Sequence, residues 1–544
     1  MTGSEPPRAA APPARGAAPG DQVPVSSGPG RWILLASILG SALAGIDATV
    51  VNVALPAIGE SLDADFAGLQ WTVTAYTLTL ASFILVGGSL ADRFGRRRIF
   101  LVGVVWFAVA SLLCGLAPGV GTLVAARALQ GIGGALLTPG SLAMIQASIV
   151  PRDRARAIGA WSGLGGIATA VGPFLGGWLV EQISWRWVFL VNAPLAVVVV
   201  ALTLRHVPES RDPTAAPHLD LAGAALGALA LGGVTYALVE QPDLGATSLP
   251  VLLAAAVGIA AGIAFVVAER RSRAPMLPPD IFAARQFRAA NLVTFTVYGG
   301  FGAVFFLLVI QLQVVAGYSP IAAGTSILPI TVIMLLLSAR SGALAYRIGP
   351  RLQMSVGPVV CAVGLVLMTR IGPGASYVVD VLPGVAVFGL GLAVMVAPLT
   401  ATALAAAPAE HAGLASGVNN AVARAAGLLA IAVLPAAAGI AGADYTRPAD
   451  FDAGFDRALL VAVAVLLLGA AIAAVGISND TLDTGSDGGP ESADLTHPDA
   501  AHDLPADENT GCRPTSHCAV GGPPLQIDAS RTPGDPRARP SERP

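Results

Sequence analysis

The chain has 544 residues, of which 54% are hydrophobic and only 12% charged, and its mean hydropathy is +0.70. A soluble domain carries about 25% charged residues, so most of this chain must be solvated by lipid. It contains no lysine, which excludes a P-loop ATPase, whose phosphate loop needs G-x-x-x-x-G-K-[ST], and Schiff-base chemistry on an amine.

Residues 1–31 are rich in Pro, Ala and Gly, carry Arg8, Arg15 and Arg31, and read as a disordered basic tail. The apolar run that follows is too long for a signal-peptide core and is expected to remain as a spanning helix. At about 20 mostly apolar residues per crossing, spans are predicted at 32–55, 69–90, 99–116, 122–145, 157–180 and 188–204. Two more fall at 221–239 and 249–268, and six at 290–315, 321–344, 353–370, 378–404, 413–440 and 458–477. The tail 478–544 is rich in Asp, Pro and Gly and is expected to be disordered.

Arginine is confined to alternate loops: Arg93, Arg96, Arg97 and Arg98; Arg152, Arg154 and Arg156; Arg205 and Arg211; Arg270, Arg271, Arg273, Arg285 and Arg288; Arg347 and Arg351. The other loops carry Arg186, Arg370, Arg447 and Arg457 among acids such as Asp63, Asp65 and Asp243. Basic loops stay on the cytoplasmic side, so both termini are expected there. Cys114 and Cys361 lie in apolar spans as small hydrophobes. Cys512 and Cys518, near His517, are spaced too loosely for a zinc site. No metal, cofactor or nucleic-acid partner is expected.

The loop after the second span reads G-S-L-A-D-R-F-G-R-R-R from Gly88 to Arg98, and Gly342 to Arg351 repeats it as G-A-L-A-Y-R-I-G-P-R. Gly88 and Gly95 permit a tight reversal between the two spans. The repeat divides the chain into a six-helix half at 32–204, an inserted pair at 205–288 and a second six-helix half at 289–477. Parallel halves related by an axis along the membrane normal are a transporter layout, with the site near the midplane.

Four stretches resemble the fourteen-helix drug:proton antiporters of the major facilitator superfamily. Residues 46–56, I-D-A-T-V-V-N-V-A-L-P, are similar to the first-helix motif, and 88–98 to the superfamily's signature loop. R-A-L-Q-G-I-G-G at 127–134 is similar to the fourth-helix motif, and G-P-F-L-G-G, containing Gly172, Pro173, Gly176 and Gly177, to the fifth-helix motif of exporters. W-R-W-V-F at 185–189 and the stretch 412–424 add weaker likeness. The resemblance covers residues 32–477 and implies an all-helical major facilitator fold in a plasma membrane. It implies proton-driven export of amphipathic drug-like or natural-product compounds, by a transporter rather than an enzyme. Uptake by a symporter or facilitator of the same fold is the alternative. A monomer is expected.

Asp47 sits inside an apolar run, where an ionisable group is costly and by default functional. Burial disfavours its charged form, so it could take up and release protons. At 1.5 Å per residue it lies about 12 Å, and Arg127 about 8 Å, below the outer ends of their predicted helices. Arg127, Gln130, Gly131, Gly134 and Thr138 share one helical face. The resemblance implies that Asp47 and Arg127 couple protons to transport; a static buried ion pair is the other reading. It also implies a cytoplasmic gate at Gly88, Asp92, Arg93, Gly95 and Arg96, with Asp92 meeting a neighbouring helix end. Tyr346 replaces that acid in the second copy. Gly159, Gly163, Ala168, Gly172 and Gly176 form a small-residue ridge for close helix packing, and Pro173 can kink it. Asn52, Gln130, Asn420 and Arg424 are candidates to line the cavity, with pairing to a structural partner the other reading for Arg424, and Glu240 is expected to lie solvated at a helix end.

Overall fold

Apolar runs long enough to cross a bilayer must satisfy their own backbone groups, and a helix does so within one segment. The computed structural model describes residues 22–479 apart from 213–219, 273–276, 278, 408–411 and 443. The expectations for 1–21, Arg273, 480–544 and the Cys512–Cys518 pair lie outside the described residues. Fourteen helices in the described residues are long and apolar enough to span a membrane. The first six are α1 (Gly28–Leu62), α2 (Phe66–Phe94), α3 (Arg96–Gly115), α4 (Val120–Ser148), α5 (Pro151–Gln182) and α6 (Trp187–His206). Then come α7 (Leu221–Leu244) and α8 (Leu249–Arg271). The last six are α9 (Arg285–Val315), α10 (Pro320–Ile348), α11 (Pro350–Met368), α12 (Tyr377–Ala405), α13 (Leu414–Ala438) and α14 (Pro448–Gly476).

The helices overrun several predicted ends for identifiable reasons. α1 continues through Pro56 and stops only where Asp63 turns left-handed at φ 48°. α14 begins ten residues earlier than the apolar run, because Asp450, Asp452 and Asp456 occupy its first turns. The basic tail is shorter than expected. Residues 22–27 are ordered against the end of α4, where Val23 bridges Ile149. The Val25 amide donates to Asp153, and Ser27 caps α1 through the Gly30 amide.

The two arginine loops share one construction. Gly95 ends α2 at φ 113°, and Gly349 ends α10 at φ 78°. In each case a polar side chain from just beyond the sixth helix of that half caps the helix that starts next. Glu209 accepts from the Arg97 and Arg98 amides, at 3.1 and 3.2 Å. Asn479 accepts from the Arg351 amide at 3.2 Å. Both loops lie at one end of the bundle, the arginine-rich end.

The opposite end is tied across the halves. Gln70 donates to the Ile431 carbonyl at 2.6 Å, and Gln313 to the Val53 carbonyl at 3.0 Å. Tyr445 donates to the Ala64 carbonyl, and the Ile321 amide to Glu181. Among the described residues, every hydrogen bond joining the first six helices to the last six lies toward this end. α7 leans on both halves, and Val239 packs with Ala67 of α2 and Ala432 of α13.

The cap and the glycine make separable contributions. Glu209→Ala should lower stability by about 0.5–1 kcal/mol, as for a lost exposed cap. Gly95→Ala should cost more, about 1–3 kcal/mol for the strained backbone, because its Cβ would also meet the Glu209 carboxylate at 2.6 Å. Thermal unfolding in detergent ranks the two, and the reverse order would refute this account of the loop.

Candidate functional site

Five helices of the first half converge on one carboxylate. Asp47 of α1 and Arg127 of α4 are 2.6 Å apart, with side chains 0% and 1% exposed. A buried ion pair is tolerable when hydrogen bonds match its remaining lone pairs and protons, and here both partners have several. The other Asp47 oxygen accepts from Gln130 Nε2 at 2.8 Å and from Asn192 Nδ2 of α6 at 3.0 Å. Arg127 Nε donates to the Thr72 carbonyl of α2 at 2.9 Å, and its Nη1 also donates to Gln130 Oε1. Ser111 of α3 accepts from both Gln130 and Asn192, at 2.6 and 3.3 Å. The Arg127 guanidinium lies over the Tyr76 ring at 4.4 Å, with Phe189 at 5.7 Å. α2 and α4 approach so closely here that a Cβ on Gly131 would collide with the Tyr76 carbonyl.

The pair singled out in the sequence therefore meets. Gln130 belongs to the shell of Asp47 rather than to the cavity lining, since it is fully buried beneath it. Ser111, Asn192, Thr72 and Tyr76 are members that sequence reasoning missed. Only Asn192 left a signal, a lone amide within an apolar run.

The fifth-helix motif is a two-sided contact. Cβ atoms on Gly172 and Gly176 would strike Thr49 and the Val50 carbonyl of α1, while one on Gly177 would lie 2.5 Å from the Pro320 carbonyl of α10. The Pro173 carbonyl in turn faces Gly324 of α10. Gly159 and Gly163 have nothing within 4 Å of a Cβ, so the ridge is shorter than its spacing suggested.

At the arginine-rich end, Asp92 pairs with Arg96 at 2.8 Å, one turn away in sequence. Its carbonyl accepts from the Asp212 amide. Exposed Arg93 lies over the Phe94 ring at 5.2 Å. Arg96 is the first residue of α3, so Asp92 meets the end of a neighbouring helix there, and among the described residues it makes no hydrogen bond or ion pair to the last six helices. Tyr346, its counterpart in the repeat, is exposed. Of the cavity candidates, Asn52 keeps a buried Oδ1 without a partner, and Arg424 a buried Nε without one. Asn420 is exposed and donates weakly to the Ser416 carbonyl of its own helix, at 3.4 Å. Glu240 is not free in solvent, because Trp71 of α2 donates to it at 2.7 Å.

Fourteen apolar helices about a buried polar centre have the build of the polytopic secondary transporters. The family model of the Major Facilitator Superfamily matches residues 37–431, and the chain belongs to that superfamily. Multidrug resistance protein Stp of Mycobacterium tuberculosis (strain CDC 1551 / Oshkosh) is 39% identical, over 71% of this chain and 72% of that protein. Puromycin resistance protein pur8 of Streptomyces alboniger is 38% identical, over 83% of this chain and 92% of its own. Among solved structures, that of peptide transporter POT in complex with sulfate matches with a TM-score of 0.62 at 15% identity. The match covers 83% of this chain and 96% of that one. At that identity the likeness speaks for the fold alone.

Because Asp47 and Arg127 each complete the other, their substitutions should not add. Arg127→Leu alone should destabilise by about 3–5 kcal/mol, leaving a buried charge without its partner. Adding Asp47→Leu should return part of that loss. A double-mutant cycle on thermal unfolding measures the coupling, and additivity would show that the two do not act as a unit.

Proposed function

We propose that this transporter exports amphipathic, drug-like or natural-product compounds across the plasma membrane in exchange for protons. It works as a monomer, with both termini in the cytoplasm. The observation that carries the reading is the Asp47 carboxylate, fully buried within a spanning helix and held by one arginine and two amides. The names of the relatives, for multidrug and puromycin resistance, support drug-like cargo.

The six-helix halves, 32–204 and 289–477 with the pair 205–288 between them, rock about a central cavity. With the arginine loops cytoplasmic, the ties at the opposite end make this the inward-facing arrangement. Ionised Asp47 holds Arg127. Protonation removes the charge that Arg127 balances and loosens α1 from α4. α1 carries the change to α5, because Thr49 and Val50, two and three residues beyond Asp47, are the groups that Gly172 and Gly176 face. α5 then passes it to α10 at Gly177 and Pro173, where the outer seal is made. Asp92, Arg93 and Arg96, with Gly88 and Gly95, form the cytoplasmic gate that closes when the halves rock the other way. Asn52, Asn420 and Arg424 serve the cavity.

Asp47→Asn should abolish export while the protein still reaches the membrane. Cells carrying it should accumulate a panel of amphipathic antibiotics to the level of cells lacking the transporter. Gradient-dependent export by the variant would remove Asp47 from the mechanism, and accumulation above the level of empty cells would reverse the direction to uptake. Gly177→Val should hold α5 off α10 and let the seal leak. Vesicles with this variant should lose an imposed proton gradient faster than wild type, and an unchanged rate would place the seal elsewhere.

A further inference from the structure

Two arginines inside the described membrane-spanning helices, Arg127 and Arg424, have opposite circumstances, and a third, Arg340 of α10, is exposed and donates to the Leu336 carbonyl of its own helix. Arg127 is paired with Asp47 and donates through Nε and Nη1, as set out above. Arg424, about 15 Å from the Leu414 end of α13, has no carboxylate within ion-pairing distance among the described residues. Its Nε is enclosed without a hydrogen-bond partner, while the side chain as a whole is only half-buried. A bare guanidinium at this depth is costly and marks a ligand or ion path.

Its neighbours say what it faces. Gln70 and Ile431 tie α2 to α13. Six residues further along α2, about 9 Å toward the bundle centre, is Tyr76, and seven residues back along α13, about 10 Å, is Arg424. The two residues thus lie at a similar depth beneath the tie, and Arg424 is within electrostatic reach of both Tyr76 and Tyr298. Tyr298 heads an aromatic ladder on α9, with Phe301 at 6.3 Å and Phe305 a further 4.5 Å on, all partly buried. α9 presses against α13 here, with Gly302 on Gly427.

We propose that Arg424 is the anion-receiving group of the cargo cavity. It selects aromatic amphipathic compounds that carry an ionised acidic group, with the acid on the guanidinium and the ring against Tyr298, Phe301 and Phe305. A planar guanidinium takes a carboxylate through two parallel hydrogen bonds, and rings of this kind stack offset or edge-on. Tyr76 links the site to the buried pair, since its ring lies against Arg127 and it is within electrostatic reach of Arg424. The proposal deepens the export reading and rests on it for the cavity's role.

Binding separates the two claims. 1-Pyrenebutyrate, its methyl ester and 1-pyrenebutylamine share one aromatic frame and differ in charge. Their equilibrium binding to the full chain in nanodiscs, with empty nanodiscs subtracted, should favour the carboxylate by about tenfold or more over either of the others. Rising salt should weaken the carboxylate and leave the ester unchanged. Arg424→Gln should abolish the preference, and Arg424→Lys should keep part of it. An ester or amine bound as tightly as the carboxylate overturns the proposal, as does a preference that survives in Arg424→Gln, or binding of none of the three. The wild-type probe and salt comparisons decide the matter even where a variant fails to fold. Loss of the carboxylate preference with proton-driven export intact would sink only the cargo class. Export unaffected by Asp47→Asn, with the preference intact, would sink only the coupling.

Discussion

Burying an ionised carboxylate in a lipid-solvated bundle is the constraint from which the first half takes its shape. The charge must be matched at once by an opposite charge and by further hydrogen-bond donors. Asp47 meets that demand with side chains from α4 and α6, and Arg127 in turn needs the Thr72 carbonyl of α2. Ser111 of α3 completes the network by accepting from the two amides. Five helices must therefore hold a common register within a few tenths of an ångström. The polar centre specifies the arrangement as much as the apolar packing around it, since lipid tails offer little hydrophobic drive for one helix to choose another.

The second half has the same scaffold without that centre. Its loop repeats the glycine turn and the cap from beyond the sixth helix, with Asn479 standing where Glu209 stands. Its own mid-membrane cation, Arg424, has no built-in anion, whereas Arg127 does. Two halves of one construction thus carry different electrostatics, one satisfied internally and one left open to the space between them. Such a division of labour follows from the geometry of a rocking carrier. In the export cycle proposed above, the group that cargo meets stays unsatisfied by the protein, and the group that stores the coupling charge does not.

Much of this was legible in the sequence because charge inside apolar runs stands out. Asp47, Arg127 and Arg424 were each visible, and so was the repeated arginine loop. What was not legible depends on how helices rotate against one another. Ser111 and Thr72 are ordinary in a membrane helix, and Thr72 contributes a backbone carbonyl that no composition reveals. Small-residue spacing proved permissive rather than diagnostic, since Gly172 and Gly176 lie at a contact and Gly159 and Gly163 do not. Helix ends were misplaced where a local rule was overridden. Pro56 reads as a stop, yet α1 runs a further six residues to the left-handed turn at Asp63. Acids at the start of α14 read as loop, yet they occupy helical turns.

The inserted pair acquires a mechanical meaning from one small meeting point. Val239 of α7 touches Ala67 of α2 and Ala432 of α13 together, and Glu240 beside it is fastened to Trp71. The polar anchor holds α7 to α2, whereas Val239 meets α13 here through the apolar side chain of Ala432, so at this point α7 is bolted to one half and only greased against the other. Any parting of α2 from α13 would then carry the inserted pair along with α2 and, at this contact, strip only hydrocarbon from hydrocarbon, a separation that lipid tails can fill at little cost.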